Sequence, residues 1–415
     1  VIPRHQLAVA PRITLASLLR ATLSEFGSSA SSLNALASAL AAEFAAPRCM
    51  LTDSGTSALV LGLRLMVPKN GIVGLPSYGC VDITSAVRFA GLRARLYDID
   101  PTTLSPDLDS VRRLLGRGVH ALLVAHYYGY PAHVPAVCAL ASDWGVPVLE
   151  DAAQAACGSL GGIRLGSLGQ LSVLSFGRGK GLFGGRGGAL LVRSPEMIQR
   201  LTSERWSLRP RVGYTELFSA AAQWLLGRPS LYAIPASVPA LRLGEMVYKP
   251  AHEPTALSAG AATLAGTAMR NETPDHQARV RKAAVLQALV NDADQLAAIQ
   301  PIEGALPGYL RFAVVDRSNS RMPANRLGVM RAYPRTLHEH AELAPQLVPG
   351  EPATPGATLL RKSLFTLPTH SFVRGSDFLA LQDWMHQVVV EAQDSEAATS
   401  AIGGRDVLSE GWSHS

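Results

Sequence analysis

Between residues 50 and 193 short apolar runs alternate with stretches of helical periodicity, and this alternation restricts the fold more than any other feature of the chain. The runs 72–75, 94–99, 119–125, 146–149, 171–176 and 189–192 read as buried strands. The segments 56–66, 107–115 and 134–144 between them read as helices. Such alternation predicts an α/β fold, a mostly parallel sheet sandwiched by helices. Ligands on such sheets bind beyond the carboxyl ends of the strands. That rule directs attention to the residues at the end of each apolar run.

The chain has 415 residues, enough for a large core and two domains. Its 47% hydrophobic and 17% charged content fits a globular protein and argues against disorder. No apolar run reaches the ~18 residues of a membrane-spanning helix. The opening Val1-Ile2-Pro3-Arg4-His5 lacks the order of a signal peptide. Cys49, Cys80, Cys138 and Cys157 have no CxxC spacing, so reduced thiols and a cytoplasmic location are expected, and no metal site. A net charge of +6 suits an anionic substrate or membrane surface. It comes without the dense basic stripe that nucleic-acid binding needs.

Three motifs lie at the expected strand ends. Ser54-Gly55-Thr56-Ser57 opens a helix with small residues. They serve as ordinary N-caps, or they let N–H groups and hydroxyls surround a phosphate at the helix N-terminus. Glu150-Asp151-Ala152-Ala153-Gln154 comes directly after a buried strand. Asp151 either caps a helical turn or pairs with a protonated pyridine nitrogen, with Gln154 donating to the ring hydroxyl oxygen. Ser175-Phe176-Gly177-Arg178-Gly179-Lys180 stands at the end of the next strand. A single lysine there is ordinarily a surface residue. A lysine and a carboxylate at neighbouring strand ends, however, are what pyridoxal phosphate (PLP) requires. A P-loop fails at two positions, Leu174 and Gly181, and Gly177–Gly188 fits GxGxxG only loosely.

Taken in order, these residues resemble the DegT/DnrJ/EryC1/StrS family of PLP-dependent aminotransferases, of fold type I. The resemblance runs through Ser54-Gly55-Thr56-Ser57-Ala58-Leu59, Leu75-Pro76-Ser77-Tyr78 and Asp98-Ile99-Asp100-Pro101. It continues in His126-Tyr127-Tyr128-Gly129-Tyr130, the Asp151 motif, Leu174-Ser175-Phe176 with Lys180, and Gly187-Gly188-Ala189. It implies that Lys180 carries the Schiff base and shuttles the proton, that Asp151 binds the pyridine nitrogen, and that Gln154 binds the ring oxygen. It further implies that Gly55, Thr56, Ser57 and Ser175 form the phosphate site, and that the chain is a homodimer with shared active sites. A sister group of dehydratases has His where this chain has Lys180. The aromatic residue that stacks on the ring in the family falls at Cys80, with Tyr78 as the candidate substitute. Gly181 and Arg186 also depart from the pattern, and Tyr248-Lys249-Pro250 stands near the place of the partner subunit's phosphate-binding segment.

The expected organisation is a large PLP-binding domain over 1–250, a smaller α+β domain over 251–392 and a flexible tail over 393–415. The small domain is expected to hold a helix over 273–296, strands at 309–315 and 364–367, and a closing helix over 378–390. The expected activity moves an amino group from an amino-acid donor such as glutamate to a carbonyl acceptor, a nucleotide-linked keto-sugar among the candidates. The alternatives are a PLP-dependent decarboxylase, lyase or condensing enzyme, or a PLP-binding regulator without turnover. Residues 205–250 fit the pattern least. Their apolar residues, interrupted by Pro229, Pro235 and Pro239 and flanked by arginines, read either as a dimer interface or lid. The other reading is a surface for anionic lipid, or a pocket for an acceptor with an apolar part.

Overall fold

The structure is a computed structural model that describes residues 4–386 except 28, 204, 205, 207 and 320. The expected tail 393–415, the end of the closing helix and Arg205 therefore lie outside the described residues.

Seven strands form the main sheet: β1 (Arg48–Thr52), β2 (Ile72–Pro76), β3 (Arg93–Tyr97), β4 (Ala121–Ala125), β5 (Val148–Asp151), β8 (Leu171–Ser175) and β9 (Gly188–Val192). The hairpin β6 (Ser159–Leu160) and β7 (Ile163–Arg164) lies between β5 and β8 in sequence. The strand order is β1-β9-β8-β5-β4-β2-β3, and β9 alone runs antiparallel to its neighbours. All six strands expected from the sequence are present. Sequence reading did not find β1, nor the reversed direction of β9.

Helices α1 (Leu15–Phe26) and α2 (Ser29–Glu43) precede the sheet, and α3 (Gly55–Met66), α4 (Val81–Phe89), α5 (Leu108–Gly116) and α6 (Val134–Ser142) alternate with its strands. After the sheet come α7 (Pro195–Ser203), α8 (Tyr214–Leu226), the short α9 (Ala233–Ala236) and α10 (Ala259–Arg270). The pleat sends successive side chains to opposite faces. Leu190 and Val192 of β9 enter a core with α3 to α6, while Ala189 and Leu191 enter a second core with α2 and α10. β8 divides the same way, Leu171 and Val173 to the first core and Leu174 to the second. The sheet is thus covered on both faces, which explains its near-continuous apolar strands.

α11 (Glu272–Asn291) leads to a second sheet built from β10 (Leu296–Ala298), β12 (Arg311–Asp316), β13 (Met330–Arg331) and β14 (Leu364–Pro368), while β11 (Ala305–Leu306) joins the β6–β7 hairpin. α12 (Pro355–Ser363) and α13 (Gly375–His386) complete the unit. Leu286, Phe312, Phe365, Leu381 and Trp384 form its own core. The helix expected over 273–296 stops at Asn291, and residues 296–298 are strand, because the backbone of β12 claims them for the sheet.

α8 shows both sides of the ambiguity in 205–250. Glu216 and Ala220 are buried, Leu217 and Trp224 are half-buried, and they lie against Leu18 and Ala21 of α1, Phe183 and Leu264. Phe218, Leu225, Ile234, Val238 and Leu241 face outward.

Candidate active site

The carboxyl ends of β2, β4, β5 and β8 converge with the N-terminus of α3. Ser54 caps that helix, its hydroxyl accepting the Ser57 N–H at 3.0 Å. Gly55 comes so close to β8 that a Cβ there would stand 2.8 Å from Ser175 Cβ and 2.9 Å from its Oγ. Only glycine lets the helix end and Ser175 share one small space. The orphan N–H groups of the first helical turn, with Thr56, Ser57 and Ser175, suit a phosphate.

Asp151 ends β5 with its carboxyl group buried. Oδ1 accepts the Ala153 N–H at 3.0 Å, and no other hydrogen bond reaches the carboxylate among the described residues. Burial pushes its pKa up, against the opposing pull of the Lys180 ammonium, the Ala153 N–H and His126. Lys180 lies in the loop that Phe176 and Gly187 close, Phe176 N–H donating to Gly187 O at 2.8 Å. Its charge reaches both Asp151 and Cys80. The departure at Gly181 has a local cause. A Cβ there would lie 2.8 Å from Ala156 Cα, and Ala156 and Cys157 themselves hold positive φ. α8 braces the same loop, since a Cβ on Gly185 (φ +80°) would lie 2.8 Å from Glu216 O.

Gln154 is fixed at both ends of its amide. Oε1 accepts the Tyr128 N–H at 2.9 Å and Nε2 donates to the Tyr333 hydroxyl at 2.8 Å. Tyr78 is fully buried edge-on to Tyr127 and Tyr333, and its hydroxyl accepts the Tyr333 N–H at 3.0 Å. Cys80 is the N-cap residue of α4 and lies in the fields of both Asp151 and Lys180. Its thiol pKa is pushed up to about 12, by burial first and by Asp82 next. Burial therefore keeps the thiol neutral there.

Sequence reasoning missed the role of Glu150 beneath the site. Its fully buried carboxylate accepts from Gly166, Leu168 and Gly169 N–H at 2.5, 2.8 and 2.9 Å, from Ser172 Oγ at 2.9 Å and from His126 Nε2 at 2.9 Å. These partners outweigh burial, the largest single influence, and hold its pKa below the usual value. His126 Nδ1 accepts the Ala132 N–H at 2.9 Å, so Nε2 is the protonated nitrogen facing Glu150. A glutamate inside an otherwise apolar strand was the available signal. Tyr333, Tyr128 and Arg311 also went unread as a group, because they lie far apart in the sequence and meet only in the fold.

Residues 14–209 match the sequence model of the DegT/DnrJ/EryC1/StrS aminotransferase family. It is 33% identical over 150 residues to dTDP-4-dehydro-2,3,6-trideoxy-D-glucose 4-aminotransferase of Saccharopolyspora spinosa, covering 36% of this chain and 39% of that one. It is 36% identical over 169 residues to dTDP-3-amino-3,4,6-trideoxy-alpha-D-glucose transaminase of Streptomyces venezuelae, covering 39% of this chain and 44% of that one. The matches thus span less than half the length of these curated relatives. Similarity of fold extends further. The aminotransferase TlmJ from Streptoalloteichus hindustanus superimposes with a TM-score of 0.71 at 24% identity, over 96% of this chain and 100% of that one. DesI superimposes with a TM-score of 0.72 at 17% identity, over 96% of each chain. The fold is that of the fold type I aminotransferases.

Proposed function

We propose that this chain is a PLP-dependent aminotransferase that takes an amino group from an amino-acid donor such as glutamate and delivers it to a carbonyl acceptor. A nucleotide-linked keto-sugar is the favoured acceptor class, by analogy with the relatives. The observation that carries the reading is the juxtaposition of Lys180 and Asp151 at neighbouring strand ends, beside the Gly55–Ser175 cradle. The residues fit the cofactor. The cradle would take its phosphate, the free side of the Asp151 carboxylate its ring nitrogen, and Gln154 its ring oxygen. Lys180 Nζ would hold it covalently. When bound, pyridoxal phosphate supplies a ring that accepts the electron pair released as a bond to the amino-bearing carbon breaks.

The chain's own part is positioning and proton transfer. Asp151 favours a proton on the ring nitrogen because, in this buried place, its negative charge needs a cation. The Lys180 amine would take and return the proton at the amino-bearing carbon of the donor. Tyr78 and Cys80 wall the site with neutral groups and exclude water. Two further elements of the reading are a homodimer with shared sites and a cytoplasmic location. Among the described residues, no helix is long and apolar enough to cross a membrane.

The test is borohydride reduction of the PLP-loaded protein, then peptide mapping. Label on the peptide containing Lys180 is expected, and glutamate should convert the cofactor spectrum to that of the amine form. Label elsewhere, or a protein that refuses PLP, defeats the reading. Labelling without a response to any amino acid favours the regulator.

A further inference from the structure

Arg211 stands just before α8 and joins two buried carboxylates. Its Nη2 lies 2.9 Å from Glu216 Oε1, and its Nη1 lies 3.5 Å from Asp53 Oδ2. The Glu216 and Asp53 side chains are only 3% and 1% exposed. Glu216 has a further donor, the Thr215 hydroxyl at 2.9 Å from Oε2. Asp53 is less well provided. Its Oδ1 accepts the Thr255 N–H at 3.3 Å, and no hydrogen bond reaches the buried Oδ2 among the described residues. His252 Nε2 lies 3.2 Å from Oδ2, but it is charged only when protonated, and its side chain is 54% exposed. Arg211 is therefore the permanent countercharge of Asp53, and a buried carboxylate left without one is costly.

The place of Asp53 gives this charge a consequence. Asp53 stands between β1 and Ser54, the residue that caps α3. Gly55 follows two residues on, at most ~7 Å along the chain. Salt at physiological strength screens charges only beyond about 8 Å, and less where they are buried. A bare carboxylate at Asp53 would repel a phosphate dianion in the Gly55–Ser175 cradle. Backbone and side-chain bonds hold the segment in place, Asp53 N–H donating to Thr255 O at 3.0 Å and the Thr52 hydroxyl to Ser54 O at 2.8 Å. The other end of the bridge reaches the Lys180 loop. Glu216 O lies against Gly185 of that loop, and the N–H of Gly213, which precedes α8, donates to Glu25 of α1 at 2.6 Å. The guanidinium of Arg211 thus links the approach to the cradle with the helix that braces the Lys180 loop.

We propose that Arg211 is a positioning residue for the phosphate cradle, acting through Asp53. It cancels the carboxylate charge beside the cradle and ties the first turn of α8 to it. That the phosphate belongs to the cofactor rests on the aminotransferase reading; the charge compensation rests on the geometry alone. The segment that fits the sequence pattern least is thereby given a part in the site.

The probes are pyridoxine 5′-phosphate, which has no aldehyde and forms no Schiff base, and pyridoxine, which lacks the phosphate. Each is titrated calorimetrically into the full chain freed of cofactor. Arg211→Gln should keep its circular dichroism spectrum and bind the phosphate ester roughly tenfold more weakly at low salt, with pyridoxine changed less than about twofold. Raising the salt should shrink that loss. Adding Asp53→Asn to Arg211→Gln removes the uncompensated charge and should restore most of the affinity, and Arg211→Lys should retain part of it. Equal weakening of both probes, or no recovery in the double variant, makes Arg211 a fold contact only and overturns the proposal even where borohydride labels Lys180. Unaltered affinity in Arg211→Gln, or wild type binding the two probes alike, overturns it as well. Arg211-dependent binding of the ester without labelling of Lys180 keeps the proposal and removes the aminotransferase reading.

Discussion

Glu150 and Asp151 are consecutive, both carboxyl groups are buried, and their pKa values move in opposite directions. The cause is the number of donors each one meets. Glu150 has three backbone N–H groups, a serine hydroxyl and His126, while Asp151 has one N–H. Glu150 is structural. It ties β5 to β8 and to the turn at 166–169. Its depressed pKa contributes stability that is present above the ordinary carboxyl range and lost as pH falls through the folded value. Replacing it by Gln leaves one acceptor and strands several donors, so a loss of about 3 kcal/mol is expected in urea unfolding. One side of the Asp151 carboxylate receives no hydrogen bond among the described residues, and the proposed cofactor would use it. Asp151→Asn should therefore unfold like wild type while turnover falls by roughly 10²-fold or more, with PLP binding only weakened. Near-normal turnover in this variant would remove Asp151 from the chemistry.

Elements place these residues, and one contact between elements can be tested directly. Gly55→Ala brings a methyl to within 2.8 Å of Ser175 Cβ, so α3 must move off β8. PLP titration should show at least a tenfold loss of affinity, with helix content unchanged in circular dichroism. Where the N-terminal segment meets the turn after β14, His370 Nε2 donates to Leu7 O at 2.8 Å and Nδ1 accepts the Phe372 N–H at 3.3 Å. Burial lowers its pKa to about 4, with the Leu7 carbonyl pulling the other way and Lys282, Asp377 and Arg311 also near. The unfolded chain takes up this proton near pH 6.5 and the folded chain only near 4. Stability is then full above pH 6.5 and falls as pH drops between the two values, by at most about 3 kcal/mol. His370→Gln should flatten that part of the profile of urea midpoint against pH. The large sheet was legible because each strand is short, apolar and bounded by its own turn signals. β1 was not, since Arg48–Thr52 carries no period of its own and is fixed by pairing with β9, far along the chain. The end of α11 was missed because the apolar residues beyond Asn291 continue its pattern, while tertiary pairing decides their state. Lys180, Asp151 and Ser175 could be read as a set because they lie in one α/β unit. The Tyr128–Arg311–Tyr333 cluster could not, because nothing in local sequence tells which β12 residue meets the loop after β4.

At the scale of the whole molecule the unusual feature is an apolar face across α1 and α8. On α1, Leu15, Leu19, Leu23 and Phe26 recur at helical spacing on the side away from the core, with Leu23 and Phe26 each 71% exposed. On α8, Tyr214, Phe218 and Leu225 do the same, with Phe218 77% exposed. The two stripes adjoin, Phe26 and Tyr214 having ring centroids 6.0 Å apart. Both helices are therefore apolar on two sides, one facing the core and one facing out, which is the pattern of helices covered on both sides. The proposed homodimer supplies that cover. Sedimentation should give a dimer at micromolar concentration. A Leu19→Glu and Phe218→Glu double variant should keep its circular dichroism spectrum and shift to monomer, because two charges placed in an apolar interface cannot be desolvated without partners. A double variant that remains fully dimeric would put the interface elsewhere. The face would then be tested against anionic liposomes at low salt, where Arg20 and Arg228 beside it supply the attraction and wild type, unlike the double variant, should float with the vesicles.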